Sequence, residues 1–199
     1  MVRMALSYVH EWKKANSQNA AGAHGSVIPM QTAKWCPPPP GYYKIKIDVA
    51  MDFDHHLMGY GWIVRDSEGV VKGTALSTIE GIYSVKEAEA IGAREALSWI
   101  KKNGWSRIVL ETDAKVVTSA VIVGQNYTPF GAIIDEIREH LEHLPLVRFV
   151  FVKRAANVPA HTLAKYALSF SGEGVLEYFD FIPHFVSSSV SVDFSGLHD

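Results

Sequence analysis

The chain holds a single cysteine, Cys36, among its 199 residues, which excludes an internal disulfide and any zinc site built from several thiolates. It also lacks an excess of positive charge. Lysine and arginine number 19 against 21 aspartates and glutamates, so no global field draws it to nucleic acid or to an anionic membrane, and a nucleic-acid partner needs a local basic patch. No segment approaches the ~20 apolar residues of a membrane span, and MVRMALSYVHEWKKANSQ contains no secretory core. The expectation is therefore a soluble intracellular monomer, nuclear or cytoplasmic, without a membrane partner. What is present is 48% hydrophobic residues in a chain of this length, enough for one well-buried core plus an arm or tail.

Organisation follows from local composition. Residues 4–14 read as a short amphipathic helix, and the following stretch is rich in Ala, Gly, Ser, Asn and Gln, so residues 1–34 are expected to form a flexible arm. It ends at WCPPPPG, where four prolines favour an extended boundary. From Tyr42, YYKIKIDVA alternates with period two as a strand does. GYGWIVRD and GVVKGTAL follow, joined by a turn at Asp66 to Gly69. SVKEAEAIGAREALSWIKKNG reads as a helix capped by Ser84 and stopped at Asn103-Gly104. Next come a strand ending in acid (SRIVLETD), two helices (AKVVTSAVIVG and FGAIIDEIREHLEHL), a strand (LVRFVFVKR) and a helix (AHTLAKYALSF). The order β-β-β-α-β-α-α-β-α implies an α/β domain over 35–171, a five-stranded mixed sheet with helices on both faces. Residues 172–199 are left as a polar tail.

Three carboxylates occupy informative places. Asp48 closes the first strand, where burial is costly unless the charge is solvated, paired or metal-bound. Glu89 lies in the first helix among Gly92, Ala93 and Ala96, small residues that let this face press against the sheet, and Asp113 ends the apolar strand IVLETD. Each has a plain alternative: a solvent contact at a strand end, a helix-surface charge, a helix cap. Together they fit a topology that brings them into one cluster, and like charges so placed need cations. Oxygen-only ligands indicate Mg²⁺ or Mn²⁺ rather than zinc.

The chain resembles the ribonuclease H-like domain of plant non-LTR retroelement reverse transcriptases and their stand-alone plant relatives, over roughly Trp35 to Phe170. The segments that carry the resemblance are WCPPPPGYYKIKIDVA, GYGWIVRDSEG, KEAEAIGAREAL, VLETDAK and KRAANVPAHTLAKYAL, in that order. It implies a ribonuclease H-like fold, with Asp48, Glu89, Asp113 and His161 at the catalytic positions and the first three as metal ligands. His161 stands where such enzymes generally have aspartate, although the plant branch often carries histidine there. An imidazole suits Mg²⁺ poorly, so the change weakens one metal position. Val49 replaces the glycine that follows the first aspartate, and its branched side chain is expected to obstruct the substrate.

The activity so implied is endonucleolytic, metal-dependent hydrolysis of the RNA strand of an RNA–DNA hybrid, recognised through 2′-hydroxyls and backbone shape. Lys44 and Lys46 share strand parity with Asp48, and Lys153, Arg154 and Asn157 lie just before His161, so these five are the candidate nucleic-acid contacts. The alternative keeps the fold without the chemistry: a degenerate, retroelement-derived module that binds nucleic acid or a protein.

Overall fold

The computed structural model describes residues 35–124 and 127–195. The expected arm, with its helix over 4–14, lies outside the described residues. Strands β1 (Tyr43–Asp52), β2 (Leu57–Arg65) and β3 (Val71–Glu80) form the antiparallel meander read from the alternation. Asp66 closes the β2–β3 turn, its Oδ1 accepting from the amides of Glu68 at 3.0 Å and Val70 at 2.9 Å. Helix α1 (Val85–Lys102) starts at Ser84, whose amide donates to the Glu87 carboxylate at 2.9 Å, and stops at Asn103 before Gly104 with φ +67°.

The chain then forms β4 (Ile108–Thr112), α2 (Lys115–Val123), α3 (Pro129–His143), β5 (Val147–Phe151) and α4 (Val158–Ala167), a short 3₁₀ turn over Arg154–Ala156 leading into α4. Beyond α4 the structure departs from the sequence reading. The segment read as a tail supplies β6 (Leu176–Phe179), which pairs antiparallel with β3, and α5 (His184–Ser195). The sheet therefore has six strands rather than five, in the order β5-β4-β1-β2-β3-β6, with β1 parallel to β4 and β4 parallel to β5.

One face of the sheet packs Ile45, Ile47, Trp62 and Leu110 against Leu97 and Ile100 of α1, with Ile137 of α3 behind. The other face packs Ile63 and Leu76 against Leu163 of α4 and against Val186 and Val190 of α5. A sixth strand and a fifth helix thus complete the core that the first five strands leave open. Helix α4 lies directly on the backbone of β2: a Cβ at Gly61 would stand 2.5 Å from Leu163 Cβ, and one at Gly59 would stand 2.5 Å from the Ala164 carbonyl oxygen. Glycine at these two places lets α4 approach closely and carry His161 to Asp48, inside β1 rather than at its end.

Candidate metal centre and groove

Asp48, Glu89 and Asp113 each offer a carboxylate oxygen, and these atoms lie within 4.8 Å of one another. Their placement is local. Asp48 sits on central strand β1 and is 4% exposed. Asp113 follows the last residue of β4, the parallel neighbour of β1, and the cap position of α2 is Ala114, so the aspartate is not used as a helix cap. Glu89 projects from the first turns of α1.

Val49 determines how close α1 comes to β1. Its side chain enters the notch left by Gly92, one turn beyond Glu89, where an added Cβ would stand 2.6 Å from Val49 Cγ2. The obstruction expected from this branched residue is thus taken up in part by a matching absence on the helix.

Nothing basic neutralises the three acids fully. Burial, then the negative charge of Asp113, pushes Asp48 up to about 6, against a downward pull from His161. Burial, then the charges of Asp48 and Asp113, pushes Glu89 up to about 8. Glu89 Oε2 is also buried without a hydrogen-bond partner. A hard divalent cation fits this site, because the donors are all carboxylate oxygens, they converge, and one of them is desolvated and unsatisfied.

His161 lies beside the cluster, not within it. Its Nδ1 is 2.6 Å from Asp48 Oδ2. With Asp48 ionised, the Nδ1–H donates, and the opposite ring nitrogen takes no part in this bond.

Three of the five candidate nucleic-acid contacts need correction. Lys44 and Lys46 are 3% and 2% exposed, and the two oxygens of buried Glu111 receive them, at 2.7 Å from Lys44 Nζ and 3.1 Å from Lys46 Nζ. Lys44 also donates to the Cys36 carbonyl at 2.8 Å, and Lys46 to the Ala156 carbonyl. Asn157 is 1% exposed and donates from Nδ2 to the Ile47 carbonyl at 2.8 Å. Strand parity was read properly, but Glu111 of β4 and Ala156 of the 3₁₀ turn, which receive the lysines, and Ile47 of β1, which receives Asn157, come from distant sequence. Lys153 and Arg154 are exposed.

The cluster opens into a groove of about 300 Å³ over the end of β1. Its floor includes Met51 and Phe53, one wall is Val85, Ala88 and Glu89 of α1, and the other carries Arg154, His161 and Lys165. Phe53, Val85 and Lys165 were not singled out from sequence. Lys165 is signalled in retrospect by its spacing of one helical turn from His161, whereas no pattern marks the other two.

Solved structures share this architecture and give it the ribonuclease H-like fold. Ribonuclease H1 of the halophilic archaeon Halobacterium salinarum superposes with a TM-score of 0.59 at 24% identity, covering 65% of this chain and 98% of that one. The N-terminal RNase H domain of a Mycobacterium tuberculosis protein gives 0.56 at 20%, covering 64% and 94%. LC11-RNase H1, solved in complex with an RNA/DNA hybrid, gives 0.57 at 16%, covering 64% and 96%. The chain belongs to the reverse transcriptase-like family, which matches residues 46–167. No curated protein sequence matches it significantly. Among the described residues no helix is long and apolar enough to cross a membrane.

Proposed function

We propose that the domain is a metal-dependent endoribonuclease that cuts the RNA strand of RNA–DNA hybrids, and that it belongs to the plant retroelement-derived branch whose sequence motifs it resembles. The observation that carries this reading is the convergence of three carboxylates within 4.8 Å, one of them with a buried, unpartnered oxygen. Asp48, Glu89 and Asp113 hold Mg²⁺ or Mn²⁺. A divalent ion bound there supplies a water acidified toward hydroxide and positive charge against the phosphate. His161 orients Asp48 through Nδ1 and exchanges protons at its other nitrogen. Lys153 and Arg154, exposed beside the groove, receive phosphates.

One observation favours the alternative of a binding module without turnover: the imidazole engages one of the two oxygens of Asp48, which leaves a single oxygen of that acid for a metal. Cleavage rates of a labelled hybrid in Mg²⁺ and in Mn²⁺ decide between the two. The enzyme reading expects metal-dependent cleavage that Asp48→Asn abolishes and that His161→Asp raises in Mg²⁺, because a hard ligand returns. Binding of the hybrid with no cleavage by the parent or by His161→Asp establishes the module instead.

A further inference from the structure

The groove beside the carboxylates has two chemically different sides, and neither is explained by metal binding. On the α4 side stand cations: Arg154 from the 3₁₀ turn, and Lys165 one helical turn beyond His161 on the same helix face, exposed to solvent. On the other side stand apolar surfaces. Phe53, at the turn that ends β1, is 65% exposed, and Val85, the first residue of α1, is 59% exposed. An uncovered phenyl ring is costly to maintain in water, and here it borders a site already built around charge. Met51 and Ala88 continue this apolar surface as far as Glu89, which belongs to the carboxylate cluster.

A polynucleotide strand has the same division of chemistry. Its phosphates form one anionic edge, and its sugars and bases present apolar faces on the other. Resting on the nuclease reading above, we propose that Phe53 and Val85 form a subsite for the sugar face of the nucleotide beside the scissile phosphate, and in a single strand also for its unstacked base, while Lys165 takes a neighbouring phosphate of the same strand. Arg154 then contacts the strand on the same cationic side. A peptide ligand matches this groove less well, because a repeating negative charge opposite a repeating apolar face is a feature of nucleic acid. Contact through a phenyl ring and an aliphatic side chain cannot read hydrogen-bond patterns, so the subsite is indifferent to base sequence.

The two kinds of contact separate experimentally through salt. Equilibrium binding of a fluorescent RNA–DNA hybrid and of a single-stranded RNA, with Ca²⁺ in place of Mg²⁺ to hold the substrates uncleaved, is measured by anisotropy over a series of salt concentrations. Phe53→Ala is expected to weaken binding about tenfold at every salt concentration, leaving the slope of log affinity against log salt unchanged, with Phe53→Tyr restoring it. Lys165→Ala is expected to make that slope shallower by about one. Both side chains are exposed, so both variants fold, and thermal unfolding matching the parent verifies this.

The subsite is overturned if Phe53→Ala binds within about twofold of the parent. It is equally overturned if Lys165→Ala changes affinity without changing the slope, or if the parent binds no nucleic acid. A parent that binds but does not cleave, and whose binding responds to both variants as described, rejects the enzymatic reading and leaves the subsite standing.

Discussion

Strand β1 carries two groups of charge on side chains of one parity, and the protein treats them in opposite ways. Lys44 and Lys46 are buried and meet Glu111 across the parallel pair with β4, so their charges are answered within the fold. Asp48, two residues on, meets only a partial answer from His161 and is crowded by Glu89 and Asp113. Burial still lowers the Lys46 pKa against the opposing pull of Glu111, but its hydrogen bonds are made. Glu89 has an oxygen with no partner at all. The first group is an internal fastening; the second is a demand for something external. Buried charge is a functional indicator only when the fold leaves it unanswered.

The comparison breaks most severely at Glu111. Glu111→Ala strands two buried ammonium groups and should cost about 3–5 kcal/mol in chemical denaturation. The corresponding change in the other group should have the opposite sign. Glu89→Gln relieves repulsion and desolvation, so in chelator it should stabilise the protein by on the order of 3 kcal/mol while weakening Mn²⁺ binding more than about tenfold, read by calorimetry. If Glu89→Gln destabilises the chelated protein, the acids are not in conflict and the contrast fails.

Titration sharpens the same point. The folded state holds protons on Asp48 to about 6 and on Glu89 to about 8, whereas the unfolded chain releases both near the ordinary carboxylate value of about 4. Between those limits the folded state binds more protons, so the stability of the metal-free protein should fall as pH rises from about 4 to about 8. Divalent ion should restore it at the alkaline end, where it takes the place of the protons. Thermal unfolding in chelator and in Mg²⁺ at several pH values reads both effects, and a flat profile in chelator counts against the raised values.

A smaller effect belongs to the spacer between the elements that carry Asp48 and Glu89. Gly92→Ala drives a methyl against Val49 and should cost about 1–3 kcal/mol, displacing Glu89 and reducing Mn²⁺ affinity. Val49→Gly in the same chain should recover much of both, and the double-mutant cycle measures the coupling. Smallest of all, replacing Lys44, Lys46 and Glu111 together by apolar residues of similar volume should be neutral to within about 1 kcal/mol, since the group is removed as a unit and its uncompensated ammonium charge goes with it.

The meander, the capped helix α1 and the acid-ended strand were legible because alternation, Ser84 and the Asn103-Gly104 stop are local signals. The convergence of the three acids was legible too, through the strand end at Asp113 and the small-residue helix face around Glu89, but Asp48 does not close its strand as expected, because β1 stays paired with β2 as far as Asp52. The roles of Lys44, Lys46 and Asn157 were not, because parity says which way a side chain points but not what another element places there. Helix α5 was missed for a different reason. Its serines are poor helix formers whose hydroxyls donate to carbonyls of the preceding turn, Ser187 to His184, Ser189 to Val186 and Ser191 to Ser187, at 2.8, 2.8 and 3.0 Å. Val186 and Val190 against the sheet, and Asp193 paired with Arg65 at 3.0 Å, hold it instead.

Three successive residues of β1 are bonded to the start of α4: Lys46 to Ala156, Ile47 to Asn157 and Asp48 to His161, across 110, 110 and 113 positions of chain. Such contacts close very large loops, and their entropy must be met before they give anything back. The strands and α1 must therefore be in place before this seam can register. The expected order in refolding is therefore the carboxylate cluster first and the histidine last, and pulsed hydrogen exchange, with the His161 amide protected later than those of β1 and β4, reads it.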